Sequence, residues 1–213
     1  MIGEVAARLR REYEAEGLSE ETMAPDPIPE FESWFGDVTT TAIEEPNAFV
    51  LATVDEDGAP SARAVLMKDL SAAGISFYTG MDSRKSRALR LNSKAAATFV
   101  WIPLHRQVRF EGAVIEIEAD VADAYFATRP RGAQIAAHAS RQSEVVAGRG
   151  ILDERFDRLD EQFDDDIPRP EHWGGWLLRP KAVEFWQGRP NRLHDRVRYR
   201  LEDGEWVKER LSP

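Results

Sequence analysis

The chain has 213 residues, a formal net charge of −10 and no cysteine. That length buries a full core, expected as a single domain over residues 1–213, and without cysteine there is no disulfide framework, thiolate nucleophile or thiolate metal site. The acidic balance argues against a nucleic-acid surface. No apolar window approaches a membrane span, and the N-terminus is charged where a signal peptide is apolar, so a cytoplasmic protein bound to neither nucleic acid nor membrane is expected.

Val5, Leu9 and Tyr13 fall at helical spacing, which predicts a short amphipathic helix from about Glu4 to Glu16 with Arg10 and Arg11 on its flanks. Pro25, Pro27 and Pro29 are expected to end regular structure. Phe31–Ile43 reads as a second helix with Phe31, Trp34, Phe35 and Val38 as core contacts, completing an N-terminal helical segment of about residues 1–45. Ala48–Val54 is a β-rich run, Asp55-Glu56-Asp57-Gly58 is turn chemistry, and Ser61–Lys68 resumes as a strand. Arg63 and Lys68 stand an odd number of positions apart. Either a bulge separates them or they serve different groups of one ligand. Unpaired charges in an otherwise apolar strand are expensive, which favours a functional reading.

Gly74–Thr79 predicts another strand, and a helix starts near Asp82 or Ser83 and runs to Leu91. Arg84 and Lys85 would occupy its first turn, against the helix dipole, as they would where free N–H groups and cations converge on an anion. Ala95–Trp101 and Gln107–Glu118 read as strands. Five or six strands in series with tight turns predict a mainly β antiparallel barrel with flanking helices, not alternating β-α units. From Asp120 a helix carries Tyr125 and Arg129 one turn apart and ends before Pro130. The phenol and guanidinium can both donate to one phosphate, or the ring can simply pack under an exposed arginine stem. After a loop containing Ser140-Arg141-Gln142-Ser143, a helix runs from about Gly150 to Phe163. The last strands are expected at Ala182–Gln187, at Arg192–Arg200 and around Trp206.

The stretch Val183 to Arg196, V-E-F-W-Q-G-R-P-N-R-L-H-D-R, breaks at Gly188 and Pro190 and then places Arg192, His194 and Arg196 at alternate positions. On a strand these three share one face, which is costly unless an anion or polar ligand lies over them; the alternative is a solvated charged edge. Trp186 and Gln187 bring a flat ring and an amide beside that row, a combination suited to a flat, anionic ligand. Bunched cations (Arg63 with Lys68, Arg84 with Lys85, Arg129 with Arg131) inside an acidic chain point likewise to small anions. There is no Walker loop, dinucleotide fingerprint, nucleophile elbow or metal-ligand spacing of histidines, so redox or electrophilic work falls to an organic cofactor.

The run W-Q-G-x-x-x-R-L-H-D-R, with R-A-V-L-M-K, F-Y-T-G, S-R-K, R-Q-V, Y-F-A-T-R-P-R and R-Q-S-E preceding it in family order, resembles the pyridoxamine 5'-phosphate oxidases, FMN enzymes of vitamin B6 metabolism. The similarity extends from L-R-R-E-Y to E-R-L-S-P. It implies an FMN-binding split β-barrel of antiparallel, Greek-key type and a homodimer with FMN where the subunits meet. It also implies oxidation of pyridoxamine or pyridoxine 5'-phosphate to pyridoxal 5'-phosphate, with O2 reduced to H2O2. By motif, the flavin would be gripped by Arg63, Ala64, Val65, Leu66, Met67, Lys68, Tyr78, Thr79, Arg84, Lys85, Gln107, Gln142, Ser143, Trp186 and Arg196. The substrate phosphate would meet Lys68, Tyr125 and Arg129. Arg192, Leu193 and His194 would lie at the pyridine ring, with Arg192 and His194 in catalytic roles, and Arg10 and Tyr13 match the family's N-terminal lid. Ala133 departs from the pattern, standing where the family usually has a serine on the substrate phosphate; losing that donor costs about 1.5–3 kcal/mol if nothing replaces it. The alternatives are a phenazine-pathway type of flavin oxidase, a non-catalytic binder of FMN or pyridoxal phosphate, and a deazaflavin-dependent reductase.

Overall fold

The computed structural model describes residues 17–213, so the predicted helix at about 4–16, with Arg10 and Tyr13, lies outside the described residues. Helix α1 (Pro27–Thr39) starts four residues before the predicted Phe31 and stops short of Ile43. The prolines thought to end structure instead begin it. Asp26 accepts the Ile28 N–H at 2.7 Å, and Pro27 takes the first helical position, where a missing N–H costs nothing. At the other end the hydroxyls of Thr39, Thr40 and Thr41 each donate to the carbonyl three residues back, competing with helix propagation.

Strands β1 (Ala48–Val54) and β2 (Pro60–Leu66) flank the expected turn, in which Asp55 Oδ1 accepts from Asp57 and Ala59 and Gly58 takes φ +79°. β2 ends two residues before the predicted Lys68. A new strand, β3 (Asp69–Ser71), follows, with the Lys68 N–H donating to Ser76 at 2.9 Å. A strand break therefore separates Arg63 from Lys68. Then come β4 (Gly74–Gly80), α2 (Arg84–Leu91), β5 (Lys94–Trp101) and β6 (Arg106–Glu116). Helices α3 (Ala119–Ala127), α4 (Arg131–Ala139) and α5 (Arg149–Gln162) lead into β7 (Trp173–Gln187), β8 (Asp195–Glu202) and β9 (Glu205–Arg210). The hydrogen-bonded strand order is β2-β1-β5-β6-β7-β4-β3, with β8 on β7 and β9 on β8. Mainly β with flanking helices, as expected, the architecture adds one strand, β3, to those read from the sequence.

Besides β3, helix α4 and the first part of β7 were not expected. Helix α4 precedes the predicted loop around Ser140 and buries Gln134, Ile135 and Ala139. β7 was expected from Ala182 and begins nine residues earlier, at Trp173. Gly174, Gly175 and Pro180 all lie within this strand. At Gly175 the glycine permits close approach: a Cβ there would lie 2.7 Å from the Tyr78 ring directly across the ladder. β7 pairs antiparallel with β4 through residues 173–178 and with β8 through residues 182–187.

The described chain forms two compact units. Residues 17–49, 97–110 and 181–213 make one. Its core gathers Phe31, Phe99, Trp101 and Phe110 around α1, with Phe31 centred 4.9 Å from Phe99 and 5.1 Å from Phe110, and Trp34 edge-on to Phe185 at 5.1 Å. The other unit, residues 50–96 and 111–180, packs Phe126, Ile135, Ile167 and Trp173 with Phe156, Leu159 and Phe163 of the α5 region against them. No helix among the described residues is long and apolar enough to cross a membrane.

Candidate functional site

In the second unit, Ser83 caps α2, its hydroxyl 3.5 Å from the Ser86 N–H, and Lys85 in the first turn is 8% exposed. Its ammonium donates to Thr79 Oγ1 at 2.8 Å, Gln142 Oε1 at 2.9 Å and Ser83 Oγ at 3.2 Å. All three acceptors are neutral. Burial, and secondarily the neighbouring Arg63, pull the amine down to about 8. Arg63 is likewise held by neutral oxygens, those of Leu51, Thr53 and Ser61, at 2.8–3.0 Å, and burial lowers its pKa as well. Gln142 accepts in addition from Thr79 Oγ1 and the Gly80 N–H, while Ser143, at φ +74°, accepts from the Arg84 N–H at 3.3 Å. Arg84 itself turns outward toward Asp55 at 3.4 Å. Of the two cations expected in the first turn, Lys85 turns inward, near Arg63, and Arg84 turns away.

Beside this cluster, and sharing Thr79 and Gln142 with it, lies a cavity of about 330 Å³ lined also by Lys68, Tyr125, Arg129 and Trp173. Tyr78 and Tyr125 stack at 4.0 Å, and both run nearly parallel to Trp173. Burial raises the pKa of each phenol. The Arg129 guanidinium lies 4.7 Å over the Trp173 ring, and its Nη1 is buried with no hydrogen-bond partner. Lys68, Tyr125 and Arg129 thus bring an ammonium, a phenol and a guanidinium with one unpaired nitrogen to the lining of one cavity, donors of the kind an anion uses. Ala133 does not line this cavity; its N–H donates to Pro130 within α4, and Ser140, two turns on, is the hydroxyl that lines it.

In the first unit, the cation row is not what alternation predicts. Arg192 lies in a 3-10 turn, Pro190–Arg192, with Asn191 at φ +56° and Arg192 at +60°, and β8 starts only at Asp195. A left-handed turn replaces the extended backbone that the shared face required. His194 instead packs on Trp186, ring centres 4.7 Å apart, and its Nδ1 accepts the Arg189 N–H at 3.1 Å, placing the proton of the neutral ring on Nε2. Burial and then Arg192 lower its pKa. Arg192 and Leu193 are exposed, Leu193 at 71%. Arg196 pairs across the ladder with Trp186 and donates Nε to Glu184 at 2.7 Å and Nη1 to the Ser212 carbonyl at 3.0 Å. Glu184, 3% exposed, also accepts from Arg109 at 2.7 Å, and it raises the Arg196 pKa. Gln107 is half-buried on β6.

The second unit thus brings together Arg63, Lys68, Tyr78, Thr79, Lys85, Tyr125, Arg129, Gln142 and Ser143 of the residues expected at the site. Ala64, Val65 and Leu66 follow Arg63 on β2, and Met67 is buried just beyond it. Trp173, Ser83 and Glu184 were missed. Trp173 lies ahead of the strand expected from Ala182, while Glu184 was visible only as an acid within that strand.

An antiparallel split β-barrel carrying buried cations without counter-charges defines a class of small-anion-binding protein. A family model described as pyridoxamine 5'-phosphate oxidase matches residues 36–163, and one described as pyridoxine 5'-phosphate oxidase C-terminal dimerisation region matches residues 173–213. The chain is 51% identical over 211 residues to a protein of Salinibacter ruber named pyridoxine/pyridoxamine 5'-phosphate oxidase, covering 97% of this chain and 98% of that one. It is 50% identical over 208 residues to the protein of that name from Cupriavidus necator, with the same coverage. Among solved structures it resembles PhzG from Burkholderia lata 383 in complex with tetrahydrophenazine-1-carboxylic acid, with a TM-score of 0.89 at 26% identity over 95% of this chain and all of that one. The chain belongs to the pyridoxamine 5'-phosphate oxidase family.

Proposed function

We propose that the chain is a cytoplasmic, homodimeric, FMN-dependent oxidase that converts pyridoxamine or pyridoxine 5'-phosphate to pyridoxal 5'-phosphate, with dioxygen reduced to hydrogen peroxide. The observation that carries this reading is the pairing, within one unit, of a buried lysine held by neutral oxygens with an adjoining cavity whose buried arginine nitrogen has no partner. Two anions are called for, side by side, and the flavin phosphate and the substrate phosphate are two such anions. The residues fit the flavin: a dianionic phosphate supplies the counter-charge that Lys85 and Arg63 lack, with the Arg84 N–H and Ser143 at the same helix end.

When bound, FMN supplies the ring that accepts a hydride equivalent from the substrate carbon and returns the electrons to dioxygen. Lys68, Tyr125 and Arg129 would hold the substrate phosphate, and this anchor with the one at Lys85 would fix a phosphate end of each ligand, which is how positioning lowers the barrier. His194, neutral and fixed through Nδ1, carries its proton on Nε2 and with Arg192 orients the pyridine ring. Arg196, aligned by Glu184, serves the flavin.

The test is a visible spectrum of the purified protein, then of the same sample with pyridoxamine 5'-phosphate under anaerobic conditions. A yellow protein that bleaches, and that releases peroxide when air is admitted, supports the reading. A yellow protein inert to this substrate would favour a flavin oxidase with another substrate or a carrier of FMN, and a colourless one would remove flavin from the account.

A further inference from the structure

We propose that Trp173 is the positioning residue that keeps Arg129 unneutralised and aimed into the cavity, and that it thereby sets the preference for a phosphorylated over a dephosphorylated substrate. The inference rests on the reading of the cavity as the substrate-phosphate site. A half-buried arginine ordinarily finds a carboxylate. The Arg129 side chain makes no ion pair and no hydrogen bond among the described residues; what holds it are two ring faces, Trp173 at 4.7 Å and Phe126 at 5.3 Å. A ring face attracts the cation through its quadrupole without using a single N–H, so no donor of the guanidinium is spent on a protein acceptor. A carboxylate at the same place would hold the side chain as well and cancel its charge.

The platform is itself rigid. Trp173 is 7% exposed, sits edge-on to Phe126 at 5.1 Å and is parallel to Tyr78 and Tyr125 within 7°. It starts β7 opposite Gly80, and its carbonyl accepts from Arg169 at 2.6 Å. The same indole therefore fixes the guanidinium and flanks the stacked phenol of Tyr125, two of the three donors assigned to the phosphate.

The experiment compares kcat/KM for pyridoxamine 5'-phosphate and for pyridoxamine in the FMN-loaded wild type, Trp173→Phe and Trp173→Leu, each with and without Arg129→Gln. The ratio of the two values is expected to fall about tenfold in Trp173→Leu and about threefold in Trp173→Phe, whose face is weaker, and to stay where Arg129→Gln alone puts it in the double variants. A ratio within twofold of wild type in both single variants, while Arg129→Gln lowers it, overturns the inference and leaves the phosphate site standing. So does a fall that persists undiminished in the Arg129→Gln background, because the indole would then act through general packing. Should Trp173→Leu fail to fold, the Trp173→Phe pair decides on the same criteria. If Arg129→Gln itself leaves the ratio unchanged, the reading of the cavity has failed and the inference falls with it.

Discussion

Replacing Lys85 by methionine is expected to stabilise the flavin-free protein and to abolish tight FMN binding, two effects of opposite sign from one atom. Lys85 is 8% exposed, and none of the three partners of its ammonium carries a negative charge. Burial moves its pKa from 10.5 to about 8. At roughly 1.4 kcal/mol for each tenfold, that is a cost of ~3 kcal/mol for keeping the charge in the flavin-free fold at neutral pH. The folded value lies below the unfolded one, so the cost is fully present below pH 8, is relieved as pH rises from about 8 to 10.5, and is absent above that. For a domain of this size ~3 kcal/mol corresponds to roughly 6–12 °C in Tm. Lost contacts of the lysine hydroxyl partners offset part of this, leaving an expected rise of about 5 °C or more for Lys85→Met at pH 7, shrinking toward pH 10. Adding FMN should raise the wild-type Tm and leave the variant nearly unmoved. Melts of both flavin-free proteins at pH 7 and 9.5, repeated with FMN, measure all of this. A variant that melts lower than wild type at pH 7, or one that binds FMN normally, would refute the account of Lys85 as a cation awaiting its counter-ion.

Arg192→Leu is expected to lower turnover at least tenfold while the protein stays yellow; unchanged steady-state kinetics would remove Arg192 from the substrate ring. Glu184→Gln takes a charge from between Arg109 and Arg196, so FMN affinity, read by quenching of flavin fluorescence, should weaken by about tenfold, as for the loss of one charge-assisted hydrogen bond. Gly175→Ala puts a methyl 2.7 Å from the Tyr78 ring and 2.8 Å from Ile117, and should destabilise the protein by about 1–3 kcal/mol in urea while disturbing the aromatic wall of the cavity. A normal midpoint in urea would mean that β4 and β7 part more easily there than their ladder implies.

What could be read from sequence follows the range of the interactions involved. The cations opening α2 stood out because their conflict with the helix dipole is local, and the hairpin around Gly58 because its turn chemistry is. Gln142, which binds Lys85 from 57 positions away, leaves no local trace. The glycines of W-G-G-W carry no local signal either: only Tyr78 on the neighbouring strand explains Gly175 as a close approach. The alternation of Arg192, His194 and Arg196 misled because a period of two means a shared face only in extended backbone, and Asn191 and Arg192 take positive φ.

Bunched cations were legible as bunches, but not as two kinds. Folding hands some of them a carboxylate, as Asp160 to Arg131, and these become structure. It gives Lys85 only hydroxyl and amide oxygens and Arg129 only aromatic faces, so their charge is left for a ligand. Composition counts the positive charges; packing decides which remain uncompensated, and the uncompensated ones mark the site.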